Sequence, residues 1–153
     1  MDHARDLESI IVAAHALTRV AALETRNEAP AAQWRTLAIL RDSGPLRIGE
    51  LAQLSRITQP GTTRLIGTMA QAGLVERIGD PDDSRVVRVA ATERGREAYA
   101  AWRVQLVDAL LPRFADLDAG EWDAIRTTAE LLTRRTAPDL TTPKTTREES
   151  SAR

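Results

Sequence analysis

Between residues 58 and 68 the chain gathers short hydrogen-bonding side chains around a single arginine: Thr58, Gln59, Gly61, Thr62, Thr63, Arg64 and Thr68. Residues of this kind at the start of a helix suit a major groove, because Thr and Gln admit a close backbone approach and offer groups to base edges. An ordinary solvated helix face has the same composition, and both readings fit this segment alone. A second cluster, Asp80-Pro81-Asp82-Asp83-Ser84-Arg85, follows shortly after. An arginine at the edge of a hairpin suits a narrow minor groove, whose negative potential attracts it. Asp83 would orient the guanidinium of Arg85 without touching DNA itself. The plainer alternative is a pair of turn-forming acids beside a screened surface ion pair, which is worth little.

Other chemistries find few residues to work with. There is no cysteine, which excludes disulfides, thiolate metal sites and cysteine nucleophiles. The two histidines, His3 and His15, lack partners at metal-ligand spacing, and neither a G-x-S-x-G elbow nor a phosphate loop occurs. The carboxylates at 80–83 are too consecutive and exposed for paired acid–base work. The expectation is a non-enzymatic protein with no metal and no cofactor.

Hydrophobic periodicity supplies the elements that must hold the two clusters. Leu7, Ile10, Ile11, Ala14, Leu17 and Ala21 recur at helical spacing from about Arg5 to Arg26, and Pro30 ends that run. A second helix is expected from about Ala31 to Asp42, with Trp34, Leu37, Ala38 and Leu40 on or near its buried side. Within 46–57, Leu51, Ala52, Leu54 and Ile57 give a short helix one packed face. Thr58 is positioned to cap the next helix, Pro60 fits its first turn, and Gly73 stops it. In that helix Leu65, Ile66, Met69 and Ala72 are spaced to face inward, leaving Gln59, Gly61, Thr62, Thr63, Arg64 and Thr68 largely outside.

Leu74–Ile78 and Arg85–Ala90 then read as two strands around the polar turn 79–84. Two short helices and a hairpin in this order make a winged helix, which favours the groove-reading interpretation of both clusters. Long helices follow from about Glu93 to Phe114 and from about Ala119 to Thr136. The latter opens with an Asp118…Glu121 capping box. Residues 137–153 contain one large apolar residue, Leu140, and are expected to form a flexible tail.

The run from about Trp34 to Gly95 resembles the MarR (multiple antibiotic resistance regulator) family of bacterial transcription factors. The matching pieces are Gly49-Glu50-Leu51-Ala52, Thr58-Gln59-Pro60 through Arg64-Leu65, Ala72-Gly73-Leu74-Val75-Glu76-Arg77, the 80–85 cluster and Thr92-Glu93-Arg94-Gly95. Their order and spacing carry the resemblance, and the flanking helices match the family's remaining length. It implies a mainly α fold with a small β-hairpin wing: one domain over 1–136, a winged helix-turn-helix at about 34–95 and dimerisation helices at about 5–26 and 93–136. It also implies a homodimeric repressor of a pseudo-palindromic operator, released by a small and often aromatic effector.

Carried over by position, Thr58 to Arg64 lie on the recognition helix, and Arg85 lies at the wing, backed by Asp83. Arg77 and Arg88 flank the hairpin as phosphate contacts or structural residues. Ser84 stands where many relatives have a second arginine, which implies a weaker wing contact. Gly61 and Gly67 thin out the recognition helix at about 1 kcal/mol each relative to alanine. The effector would lie between the dimer helices and the DNA-binding lobe, where His15, Arg19, Trp34, Met69 and Trp102 are conceivable lining residues; for Trp34, Met69 and Trp102 a core role is the simpler reading.

Charge and length are compatible with this assignment. The chain of 153 residues carries a net charge of −1, but 47–103 holds nine basic and seven acidic residues. That small excess permits DNA binding without demanding it. It leaves room for another class of function, a winged-helix protein-interaction module without sequence-specific DNA binding. Leu106, Val107, Leu110, Leu111 and Phe114, with Leu131 and Leu132, form more apolar surface than a winged helix can cover, which favours a second chain as partner. No apolar run is long enough to span a bilayer and no signal peptide is evident, so a cytoplasmic location and no membrane partner are expected.

Overall fold

The computed structural model describes residues 2–25 and 28–137. The elements are α1 (His3–Thr25), α2 (Ala31–Ser43), β1 (Leu46–Arg47), α3 (Ile48–Ser55), α4 (Gln59–Gln71), β2 (Val75–Gly79), β3 (Val87–Ala91), α5 (Glu93–Leu110) and α6 (Ala119–Thr136). A 3₁₀ turn, Leu111–Phe114, extends α5. It begins where Pro112, lacking an amide hydrogen, removes an α-helical bond. The expected end of the first helix at Arg26 and nearly all of the expected tail lie outside the described residues.

One core holds α2 to β3 together. Leu37, Leu40, Leu51, Ile66, Met69, Leu74, Val75 and Val89 are buried in a single cluster. Val89 sits at its centre because β3 is the middle strand of an antiparallel sheet in the order β1-β3-β2. Leu46 pairs with Val89 from one side and Arg77 from the other. Within 46–57 the short helix is preceded by a strand at Leu46–Arg47 that periodicity does not signal. Its edge pairing with β3 holds it extended, and α3 starts only after Arg47, whose backbone amide donates to Glu50 at 2.9 Å. β3 also starts later than expected, at Val87, which leaves Arg85 in the turn.

Three side chains lie on other faces than the periodicity suggested. Leu54 was expected in the packed face of α3 but is 54% exposed. The core lies on the side of Leu51, Ala52 and Ser55, where Ser55 satisfies its hydroxyl by donating to the Leu51 carbonyl at 2.6 Å. Thr62 was expected on the outside of α4 but is 1% exposed. It shares the inward stripe of Ile66 and Met69, and its hydroxyl donates to the Thr58 carbonyl at 3.1 Å. Ala72, in turn, is exposed rather than inward.

The lobe joins α5 through a dense set of polar contacts. Thr92 caps α5 by accepting from the Gly95 amide at 3.0 Å, and its hydroxyl donates to the Gly73 carbonyl at 2.6 Å. Gly73 is itself in the left-handed region, at φ 72°, which ends the α4 segment at low cost. Gly95 is buried against Leu74, and a Cβ there would collide with the Leu74 carbonyl oxygen. Beyond this joint α1 packs along α5, while α6 buries none of its residues.

Candidate nucleic-acid interface

The turn from α3 to α4 is set by Arg56, whose φ of 55° turns the chain through a left-handed residue. Thr58 then caps α4 as expected: its hydroxyl accepts from the Gly61 amide at 3.3 Å. Gly61 has a steric reason to be glycine, since a Cβ would stand 3.0 Å from both the Ile57 side chain and the Thr58 hydroxyl. Its contribution is to let the cap close.

With Thr62 and Gly61 spent on the fold, the outward surface of α4 consists of Gln59, Pro60, Thr63, Arg64, Thr68 and Gln71, with Gly67 in their midst. The Thr63 and Thr68 hydroxyls donate to the carbonyls of Gln59 and Arg64, at 3.0 and 3.3 Å. Their methyl groups and acceptor lone pairs remain for a partner. Arg64 is exposed and has no carboxylate partner among the described residues. A guanidinium left unpaired in the middle of a small polar surface can bind guanine O6 and N7 or a phosphate without first breaking an ion pair.

The hairpin presents Arg85 in a similar way. Its side chain is 91% exposed, and Asp83 accepts from both the Arg85 amide (3.0 Å) and the guanidinium Nε (3.3 Å). This is the geometry expected of a carboxylate that aims an arginine while leaving its outer nitrogens open.

The start of the hairpin's turn holds what the sequence reading missed. Asp80, expected among the exposed carboxylates of the turn cluster, instead has a fully buried side chain. Its Oδ1 accepts from the Asp82 amide at 2.9 Å, and its Oδ2 from Arg88 Nε at 2.6 Å and Arg47 Nη2 at 3.3 Å. The Asp82 amide, then Arg88 and Arg47, hold its carboxyl at about 2, below the usual 3.8. The pairing raises Arg88 in turn. Arg88, a candidate DNA contact by sequence, is therefore committed to Asp80 and only 31% exposed. The triad ties β3 and the start of α3 to the turn of the hairpin, and fixes the wing relative to the helices. Aspartate and arginine at 80 and 88 were visible in the sequence, but Arg47 lies 33 positions from Asp80 and became a partner only through β1.

The candidate effector residues divide. A cavity of about 400 Å³ lies between α1, α2 and α5, bordered by Thr18, Ala22, Trp34, Arg35, Tyr99 and Trp102 among others. Trp34 and Trp102 stack in it, 5.0 Å between centroids and 8° from parallel. Trp34 Nε1 is itself buried and has no hydrogen-bond partner among the described residues. His15 and Arg19 do not border this cavity and are exposed on α1, which lines it with Thr18 and Ala22. Met69 belongs to the core.

Comparison with known proteins places these features in context. The sequence model of the MarR family matches residues 30–87. An uncharacterised HTH-type transcriptional regulator of Mycobacterium bovis is 35% identical over 100 residues, 65% of this chain and 70% of that one. The homoprotocatechuate degradative operon repressor of Escherichia coli is 30% identical over 77 residues, 50% of this chain and 52% of that one. Among solved structures, RV1404 from Mycobacterium tuberculosis superposes with a TM-score of 0.71 at 21% identity, covering 92% of this chain and 98% of that one. A MarR family protein from Bacillus stearothermophilus does so with a TM-score of 0.67 at 22% identity, covering 89% and 96%.

Proposed function

The chain belongs to the MarR family, and from that premise we propose that it works as a homodimeric repressor of a pseudo-palindromic operator, released by a small planar effector. It is a DNA-binding transcriptional regulator. One observation carries the proposal: the outer face of α4 offers an unpaired Arg64, and the wing offers an extended Arg85 with its own orienting carboxylate. In this reading α4 enters a major groove, Gln59, Thr63, Arg64 and Thr68 meet base edges or phosphates, and Arg85 enters the adjoining minor groove.

Residues 1–136 act as one domain, and α1, α5 and α6 bring two copies together. Their exposed Leu7, Ile11, Val104, Val107, Ile125 and Leu131 support this, as surfaces that would otherwise stay in water. Two recognition helices then address half-sites about one helical turn, roughly 34 Å, apart. The Trp34–Trp102 cavity is the effector site. Its stacked rings suit a flat aromatic molecule. Such a ligand releases DNA by favouring a dimer geometry in which the two α4 helices miss successive grooves. Repression agrees with the Escherichia coli relative, a repressor by name.

Selection of bound fragments from genomic DNA tests this directly, with an inverted repeat as the expected result. Affinity for that repeat should fall with salt at a slope of about −0.9 per phosphate contact. Arg64→Ala should weaken it with the melting temperature unchanged, and Arg85→Ala should act mainly at the outer flanks of the footprint. No enriched repeat and a flat salt response would favour a protein-interaction module.

A further inference from the structure

We propose that Gly67 marks the point where base-pair edges come closest to the α4 backbone, so that its missing side chain serves the DNA and not the fold. The inference rests on the reading that α4 enters a groove. Gly44 and Gly73 adopt a positive φ, Gly61 lets the Thr58 cap close, and Gly95 lies against the Leu74 carbonyl, while Gly49 and Gly79 have open space around a Cβ but stand at the start of α3 and the end of β2. Gly67 has none of these. It lies in the interior of α4 at a backbone conformation open to any residue, and a Cβ added to it would meet nothing within 4 Å. Nothing inside the protein forbids a side chain there, and glycine is a poor helix former at such a site.

The position of this gap points to its occupant. Helical spacing sets Gly67 one turn after Thr63 and Arg64 and one turn before Gln71, in the middle of the outward face. A helix with its side chains is about 10–12 Å across. The major groove is only about 12 Å wide. A bare Cα at the centre of the face lets the helix sit deeper, and brings Arg64 and Gln71 to base edges on either side of it.

Two measurements of opposite sign test this in the full-length chain. Gly67→Ala should raise the melting temperature by about 2–4 °C, as removal of a mid-helix glycine does in a chain of this size. The same variant should bind the selected operator about tenfold or more weakly, the scale of a lost base contact. Binding to an unrelated duplex should change little. Gly67→Leu, an equally good helix former with a larger side chain, should lose more operator affinity while melting no lower than wild type. Variants that bind the operator as tightly as wild type would overturn the inference and leave the function standing. A wild-type chain that selects no operator would overturn both.

Discussion

The winged-helix lobe and the three long helices use their apolar residues in opposite ways. From α2 to β3, Leu37, Leu51, Ile66, Met69 and Val89 are buried on one another. In α1, α5 and α6 the buried set is Ala21 and Gly95, while Leu7, Ile11, Val12, Val104, Val107 and Leu131 stay exposed. A lobe with a closed core holds its shape alone. Helices with an open apolar face gain their stabilisation when something covers it, so their arrangement is the part of the molecule that a partner or ligand can change. The cavity beside Trp34 and Trp102 lies on the boundary, with α2 of the lobe on one side and α1 on the other.

The strongest way to break this contrast is to charge the open face. Ile11→Glu with Val107→Glu should give a monomer by light scattering and lower operator affinity by about 10²–10⁴, the usual gain from two linked contacts. Helical circular dichroism should survive. Retention of the dimer would mean that these faces are not the interface. Next in size is the lobe itself. Leu51→Ala should cost about 2–5 kcal/mol in urea unfolding, as deletion of a buried leucine does. Leu131→Ala, on an exposed face, should cost far less when measured in the charged monomer. Equal losses would erase the distinction between the two regions.

Sequence periodicity reached the helical ends well because they are local. The start of α6 at Asp118…Glu121 and its end at Thr136 both agree with the structure, and the box closes with bonds of 2.8 and 3.0 Å. The cap at Thr58 and the stop at Gly73 were legible for the same reason. Misplaced residues depend on partners distant in sequence. Leu54 is an apolar residue on an outer face and Thr62 a polar one in the inward stripe, and the packing of α3, α4 and the sheet decides which side is inside. β1 is two residues long and exists only through its pairing with β3. The Asp80 triad depends on that pairing, and it decides for Arg88 between the phosphate-contact and structural roles that its position alone leaves open. His15 had no local signal that could separate the cavity side of α1 from the outer side.

The joint between the two regions gives a smaller effect. Thr92→Val keeps the shape of the side chain but removes the hydroxyl that caps α5 and bonds Gly73. The loss should be about 0.5–2 kcal/mol, the range for a helix cap. If the joint transmits movement between helices and lobe, the variant's affinity for effector and for operator should become less strongly linked, as a double titration would measure. An unchanged linkage would reduce Thr92 to a cap.

The smallest signal is a slope with pH, and it isolates the wing's anchor. Asp80 has its carboxyl held at about 2 in the folded chain, against about 3.9 in an unfolded one. A group depressed in this way stabilises the fold fully above the unfolded value, and that contribution disappears as pH falls from about 4 through about 2. Asp80→Asn should therefore melt below wild type at neutral pH, and the gap should narrow on acidification within that window. The Asn variant can still accept from the Asp82 amide but cannot neutralise Arg88 and Arg47, so the loss should concentrate in the wing. Amide exchange should increase in residues 80–88 and remain unchanged in α4. A gap constant down to pH 2 would show that the anchor works by shape and hydrogen bonding, not by charge. Exchange rising equally in α4 would show that wing and recognition helix are one cooperative unit, and that the lobe is less divisible than its buried triad suggests.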